Sequence, residues 1–92
     1  MNEKRCWLCG RNGTDDPLDV HHIFNGSNKK NSEKYGALVY LCHNRCHIFG
    51  KYAVHQNRET RDKLMKWGQA KVMEENDWTT EDFIRVFGKN FL

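Results

Sequence analysis

At 92 residues the chain is one small domain and not two. Apolar residues make up 38% and the mean hydropathy is -0.89, so the core must be thin and a metal or disulfide staple is expected. Aromatics at 12% argue against a disordered chain, no apolar run is long enough to span a membrane, and a formal net charge of +3, which a four-thiolate zinc site would lower further, makes polyanion binding by bulk electrostatics weak, so that any such affinity must come from a local patch.

The polar start, Met1 to Arg5, leads straight into Cys6, so no secretory leader is expected. A cytoplasmic location then follows, where thiols stay reduced, and four cysteines read as a metal site rather than two disulfides. Cys6-Trp7-Leu8-Cys9 is a knuckle, followed by Gly10 and the turn-rich stretch Arg11 to Pro17. A first strand is expected around Leu18 to Phe24. Asn25 to Gly36 reads as a polar, basic loop. Ala37 to Cys42 is an apolar, β-prone run and a second strand. His43 to Ala53 is irregular and carries Gly50. From Gln56 to Glu75 the composition is helical: Leu64, Gly68 and Val72 recur every four residues, and Met65, Trp67 and Met73 widen that side. Asp77 and Trp78 break the run. Thr79 or Thr80 caps a last short helix with Phe83, Ile84 and Phe87 on its apolar face, and Gly88 stops it. Trp67, Trp78, Phe83, Phe87 and Phe91 are expected in the core.

Cys6-x2-Cys9 and Cys42-x3-Cys46 have the spacings that zinc favours. One ion would join the start of the first strand to the end of the second. Four protein ligands leave no open position, so the site is structural. With four thiolates and one zinc ion the formal charge falls to +1. His43 and His47 flank Cys46 and compete for its place as fourth ligand.

All five histidines lie between positions 21 and 55. His21 and His22 are adjacent on a strand, so they point to opposite faces and take different tasks. Taken alone, His43 reads as an ordinary surface histidine.

Asp19-Val20-His21-His22-Ile23-Phe24 resembles the first signature of the HNH (ββα-metal) endonucleases. Leu38-Val39-Tyr40-Leu41-Cys42 and Cys46-His47 resemble the later strand and the histidine after it. The cysteine pairs match the zinc-stapled branch of that family. The resemblance covers roughly residues 6 to 57, and within the family the chain is similar to short phage-encoded proteins, including Ref-like recombination-associated nucleases. The stretch Phe83 to Leu92 is similar to the tail of such proteins. The resemblance implies an α+β fold, with a zinc-stapled ββα-metal core over 6–57 and helices over 58–92. It implies hydrolysis of phosphodiester bonds in DNA with low sequence specificity. His22 would be the general base, a task that suits a side-chain type titrating near neutral pH. His21 and His47 would hold a catalytic divalent ion (Mg2+, Mn2+, Ni2+ or Zn2+), and His55 is the third ligand. In the ββα arrangement Lys29 and Lys30 would lie beside the metal, where they either hold phosphates or belong to an ordinary solvated loop; Arg58 is one of the cations of the long helix, a face that either docks in a groove or is simply solvated. A recombinase or another DNA-processing protein is the implied partner, and no membrane is.

Two features depart from the family pattern. The last two histidines are normally about one helical turn apart, but His47 and His55 are eight residues apart. On a straight helix that is roughly 12 Å, too far for ligands of one ion. The chain must bend between them, with Gly50 the plausible place and His55 at the start of the long helix. Ala37 stands where the family has its Asn, and Asn44 and Asn57 are candidates for its task. Two other readings compete: a non-catalytic zinc-binding module for nucleic acid or protein, and an HNH fold that has lost activity and serves as an accessory factor. A binding module has no need of His22.

Overall fold

The computed structural model describes residues 4–92; the polar start read as leaderless lies partly outside the described residues. The fold is α+β, with a two-stranded antiparallel sheet and helices. The order is β1 (Leu18–His22), a single 3-10 turn (Gly26–Asn28), α1 (Lys29–Tyr35), β2 (Leu38–Cys42), a wide π-type turn (His43–Ile48), α2 (Arg58–Asn76) and α3 (Thr80–Phe87). The described residues divide into two compact units, 4–21 with 39–61 and 22–38 with 62–92. Among the described residues no helix is long and apolar enough to cross a membrane.

In the first unit the knuckle docks on β2 by backbone pairing. Cys6 forms a bridge with Tyr40, and Trp7 N–H donates to the Tyr40 carbonyl at 2.8 Å. Leu41, Cys42, Ala53 and Val54 are fully buried. The π turn begins at a carboxylate. Asp16 accepts the backbone N–H groups of Asn44 at 3.1 Å and Arg45 at 2.8 Å, and the Asn44 side-chain amide at 3.1 Å. It thereby satisfies donors that a helical start leaves without partners.

In the second unit the stretch expected as a loop, Asn25 to Gly36, is mostly helical. Its sequence has no apolar period. The buried Ser32 anchors it instead: the hydroxyl donates to the Phe24 carbonyl at 2.8 Å and accepts the Phe24 N–H at 3.2 Å. Gly36 ends α1 in the left-handed region at φ 76°, where a side chain would be strained. Leu64 and Val72 of α2 are buried, as their spacing predicts. Gly68 lies against Ile23, and a Cβ there would come within 2.8 Å of Ile23 Cγ2.

Asp77 takes a left-handed backbone and ends the α2 run, the break expected at Asp77 and Trp78. Thr79 caps α3 with a reciprocal capping box to Asp82. The rings of Phe24, Phe83, Phe87 and Phe91 cluster, with Phe24 4.9 Å from Phe87 and 5.0 Å from Phe91, and Tyr35 packs on Trp78. Trp67 differs from the expectation: it is exposed on α2, since the buried stripe is carried by Leu64, Gly68 and Val72. A polar residue that no pattern singled out, Gln69, is fully buried. Its amide donates to Asn90 Oδ1 and its carbonyl oxygen accepts the Phe91 N–H, tying down the C-terminal stretch.

Candidate metal centre

The sequence-predicted ligands fall into two groups in the first unit. Cys6, Cys9, Cys42 and Cys46 have their sulfurs within 4.8 Å of one another. Cys9 Sγ and Cys42 Sγ are 3.6 Å apart. Two thiolates on one tetrahedral zinc at ~2.3 Å stand about 3.8 Å apart, so the donor set fits that ion. The Cys9 N–H reaches Cys6 Sγ at 3.5 Å, and Gly10 closes the knuckle with φ 79°. Burial pushes the Cys6 thiol up, but the surrounding backbone N–H groups, that of Cys9 first, outweigh it and bring it down to about 7. Burial and the neighbouring Cys9 and Cys6 push Cys42 up to about 12, and burial raises Cys46 as well. Without a cation the four thiols cannot all ionise. A divalent ion is what such a crowd of soft donors suits.

His21, His47 and His55 form the second group, again with ligand atoms within 4.8 Å. His21 on β1 is buried, at 6% exposure. The bend expected between His47 and His55 is present. The His55 N–H donates to the His47 carbonyl at 3.1 Å and the Val54 N–H to Cys46 at 2.8 Å. Gly50 permits the bend by close approach: a Cβ there would lie 1.9 Å from the Arg45 carbonyl oxygen. His55 sits in the turn before α2, not at the start of the helix as expected. Its Nε2 is 3.1 Å from His47 Nε2. Two imidazoles on one ion at ~2.05 Å stand about 3.3 Å apart in tetrahedral geometry, so the spacing fits a shared cation. Partial desolvation, then the His47 and Arg61 charges, hold His55 below its ordinary value, which keeps its lone pair available near neutral pH.

Asp19 was not singled out from the sequence, yet it organises this group. Its Oδ2 accepts from His47 Nδ1 at 2.8 Å and from His43 Nδ1 at 2.6 Å. The hydrogen bond from His47 comes first among the causes that hold the Asp19 carboxyl below its usual range. A carboxylate at Nδ1 requires the proton there. The lone pair of a neutral His47 is therefore on Nε2, facing His55. This is the carboxylate–histidine arrangement that orients metal ligands. His43, expected as a plain surface histidine, shares the same oxygen. Three nitrogen donors are fewer than the four that would fill a tetrahedral ion, unlike the four-cysteine group.

The remaining predicted residues are in different settings. His22 is half-buried in the second unit, and its Nε2 lies 2.8 Å from Glu33 Oε1 on α1. Lys29 and Lys30 are exposed on the first turn of α1, a helix and not the loop expected. Arg58 is exposed at the start of α2. Ala37, at the place of the family's Asn, is buried, and its carbonyl accepts the Ile23 N–H. Of the two suggested substitutes, Asn44 binds Asp16 and Asn57 caps the start of α2 through Thr60 N–H.

The cap on the π turn has a testable pH dependence. Backbone N–H groups of Asn44 and then Arg45 hold the Asp16 carboxyl below its ordinary value of 3.8. A depressed folded value stabilises the fold above the unfolded value, and that contribution is lost as pH falls through the folded one. Asp16→Asn is expected to lower the melting temperature at pH 7 by several degrees. In paired melts the difference between the two proteins should narrow as the pH is taken below 3.8. A gap that stays constant with pH would show that the charge is not what matters.

Compared with family models, curated proteins and solved structures, the chain finds no match.

Proposed function

We propose that the chain is a metal-dependent endonuclease of the HNH type, acting on phosphodiester bonds in DNA. The observation that supports this best is the three-histidine group, which offers fewer donors than fill a tetrahedral ion and whose His47 is oriented by Asp19. His22, the next residue after the buried ligand His21, belongs to a second carboxylate–histidine pair. In this reading the four cysteines hold a structural zinc and stiffen the segments that carry His21 and His47.

A divalent ion bound at the three histidines would supply charge neutralisation at the phosphate and the leaving oxygen. His21, His47 and His55 would hold it, with Asp19 orienting His47 through Nδ1. Glu33 accepts the Nε2 proton of His22, so the lone pair of that ring is on Nδ1. Nδ1 takes the proton from the attacking water, and Glu33 then faces an imidazolium, which it stabilises. Lys29, Lys30 and Arg58 supply cations for neighbouring phosphates. The HNH resemblance adds a phage setting and a recombinase or other DNA-processing partner to the reading. A non-catalytic zinc module accounts for the cysteines but gives the histidine group no task.

The test is cleavage of supercoiled and single-stranded DNA by zinc-loaded protein, with Mg2+, Mn2+, Ni2+ or Zn2+ added after mild chelation. Cutting that depends on the added ion supports the reading. A folded, zinc-loaded chain that cuts with none of them overturns it.

A further inference from the structure

The turn that joins His47 to His55 carries two exposed aromatic side chains, Phe49 at 68% and Tyr52 at 59%. The backbone between them is not loose. Phe49 and Gly50 N–H groups both donate to the Asn44 carbonyl, at 2.9 and 3.0 Å, and Ala53 N–H donates to Gly50 at 3.0 Å. The Gln56 side chain donates to the Ile48 carbonyl at 2.9 Å. Ala53 and Val54 of the same turn are buried, at 0% and 1%. The turn is thus pinned on its inner side and presents its two rings outward. Lys51 stands between them, with Nζ 5.4 Å from the Tyr52 ring centroid. From His43 to Arg58 the sequence has Arg45, Lys51 and Arg58 and no carboxylate.

Two outward aromatic rings on a pinned backbone, with Lys51 beside one of them, match the chemistry of unpaired nucleotides. Bases stack on aromatic rings without sequence preference, and the cations meet the backbone phosphates. Paired bases cannot offer their faces in this way. We infer that the turn 48–53 is a stacking platform for single-stranded nucleic acid, so that the substrate is engaged in single-stranded form. This rests on the nuclease reading only in calling the bound strand a substrate.

The test is fluorescence anisotropy with a labelled oligothymidylate of about 12 nucleotides, and with a hairpin duplex. It uses zinc-loaded protein and no added second metal. The wild type should bind the single strand more tightly than the duplex. Phe49→Ala and Tyr52→Ala should each weaken single-strand binding about 5- to 150-fold, with zinc content and circular dichroism unchanged. Phe49→Trp should retain affinity and Phe49→Leu should not, because Leu keeps apolar area but lacks a π-face. Lys51→Gln should flatten the salt dependence by about one phosphate contact.

Unchanged affinity in the double variant Phe49→Ala/Tyr52→Ala overturns the inference, and so does a duplex preference in the wild type. A wild-type dimer that the double variant dissociates without loss of oligothymidylate binding overturns it in favour of a second copy. Stacking-dependent binding by a chain that never cuts supports the platform and defeats the nuclease reading alone. Cleavage of single strands that ignores both substitutions defeats the platform alone.

Discussion

His22→Ala is expected to leave the fold and the zinc content intact and to lower the rate of DNA cleavage about a hundred- to ten-thousand-fold, the usual contribution of a positioned base. The ring is half-buried and its Nε2 lies 2.8 Å from Glu33 Oε1. Truncation therefore removes the proton acceptor and leaves Glu33, which is itself exposed, free to take water. The loss should fall on kcat, with affinity for the added ion unchanged by calorimetry, since His22 is not among the three clustered ligands. Glu33→Gln should give a smaller loss, because the amide retains the shape but not the charge opposite the ring. Undiminished cleavage by His22→Ala would remove this residue as the base.

Strong chelation of the four-cysteine group, or Cys42→Ser, should unfold the first unit. Structural zinc contributes about 10–16 kcal/mol in small metal-dependent folds. A whole domain is stable by only ~5–15 kcal/mol. The metal term is therefore as large as the entire margin. Cys42 is fully buried, so a hydroxyl in its place would also be poorly hydrated. Protons compete with the ion. With Cys42 raised to about 12 in the metal-free cluster, zinc must displace protons to bind, and its affinity falls as the pH is lowered. Zinc release followed with a chromogenic indicator should track the loss of far-ultraviolet dichroism. A chain that stays helical and cooperative after losing its zinc would contradict the structural assignment.

Much of the scaffold was legible because it rests on periodicity and spacing. Leu38–Cys42 is an unbroken apolar run, Leu64 and Val72 mark a buried stripe, and Thr79 with Asp82 is a complete capping signal. The two groups of cysteines and histidines that come together were legible because the intervals between potential metal donors are chemical constraints. The residues that hold those ligands were not. Asp19, Asp16 and Glu33 act on groups 11 to 29 positions away, and a lone carboxylate in a sequence reads as surface charge. The sequence of α1 reads as a loop because the helix is anchored by the Ser32 hydroxyl and by Tyr35 at its last position, which leaves no apolar period to detect. Trp67 went the other way: a large apolar residue beside a buried stripe was counted with the stripe, although the small Gly68 fills that position against Ile23.

The contact of Gly50 with the Arg45 carbonyl has a consequence for how such a protein can diversify. No side chain fits there, so position 50 on the path from His47 to His55 is restricted to glycine. Positions 49, 51 and 52 are exposed on that path. Replacements at those three positions can alter what the surface attracts while the histidines keep their places. The surface of this turn can therefore vary independently of the histidine group it connects.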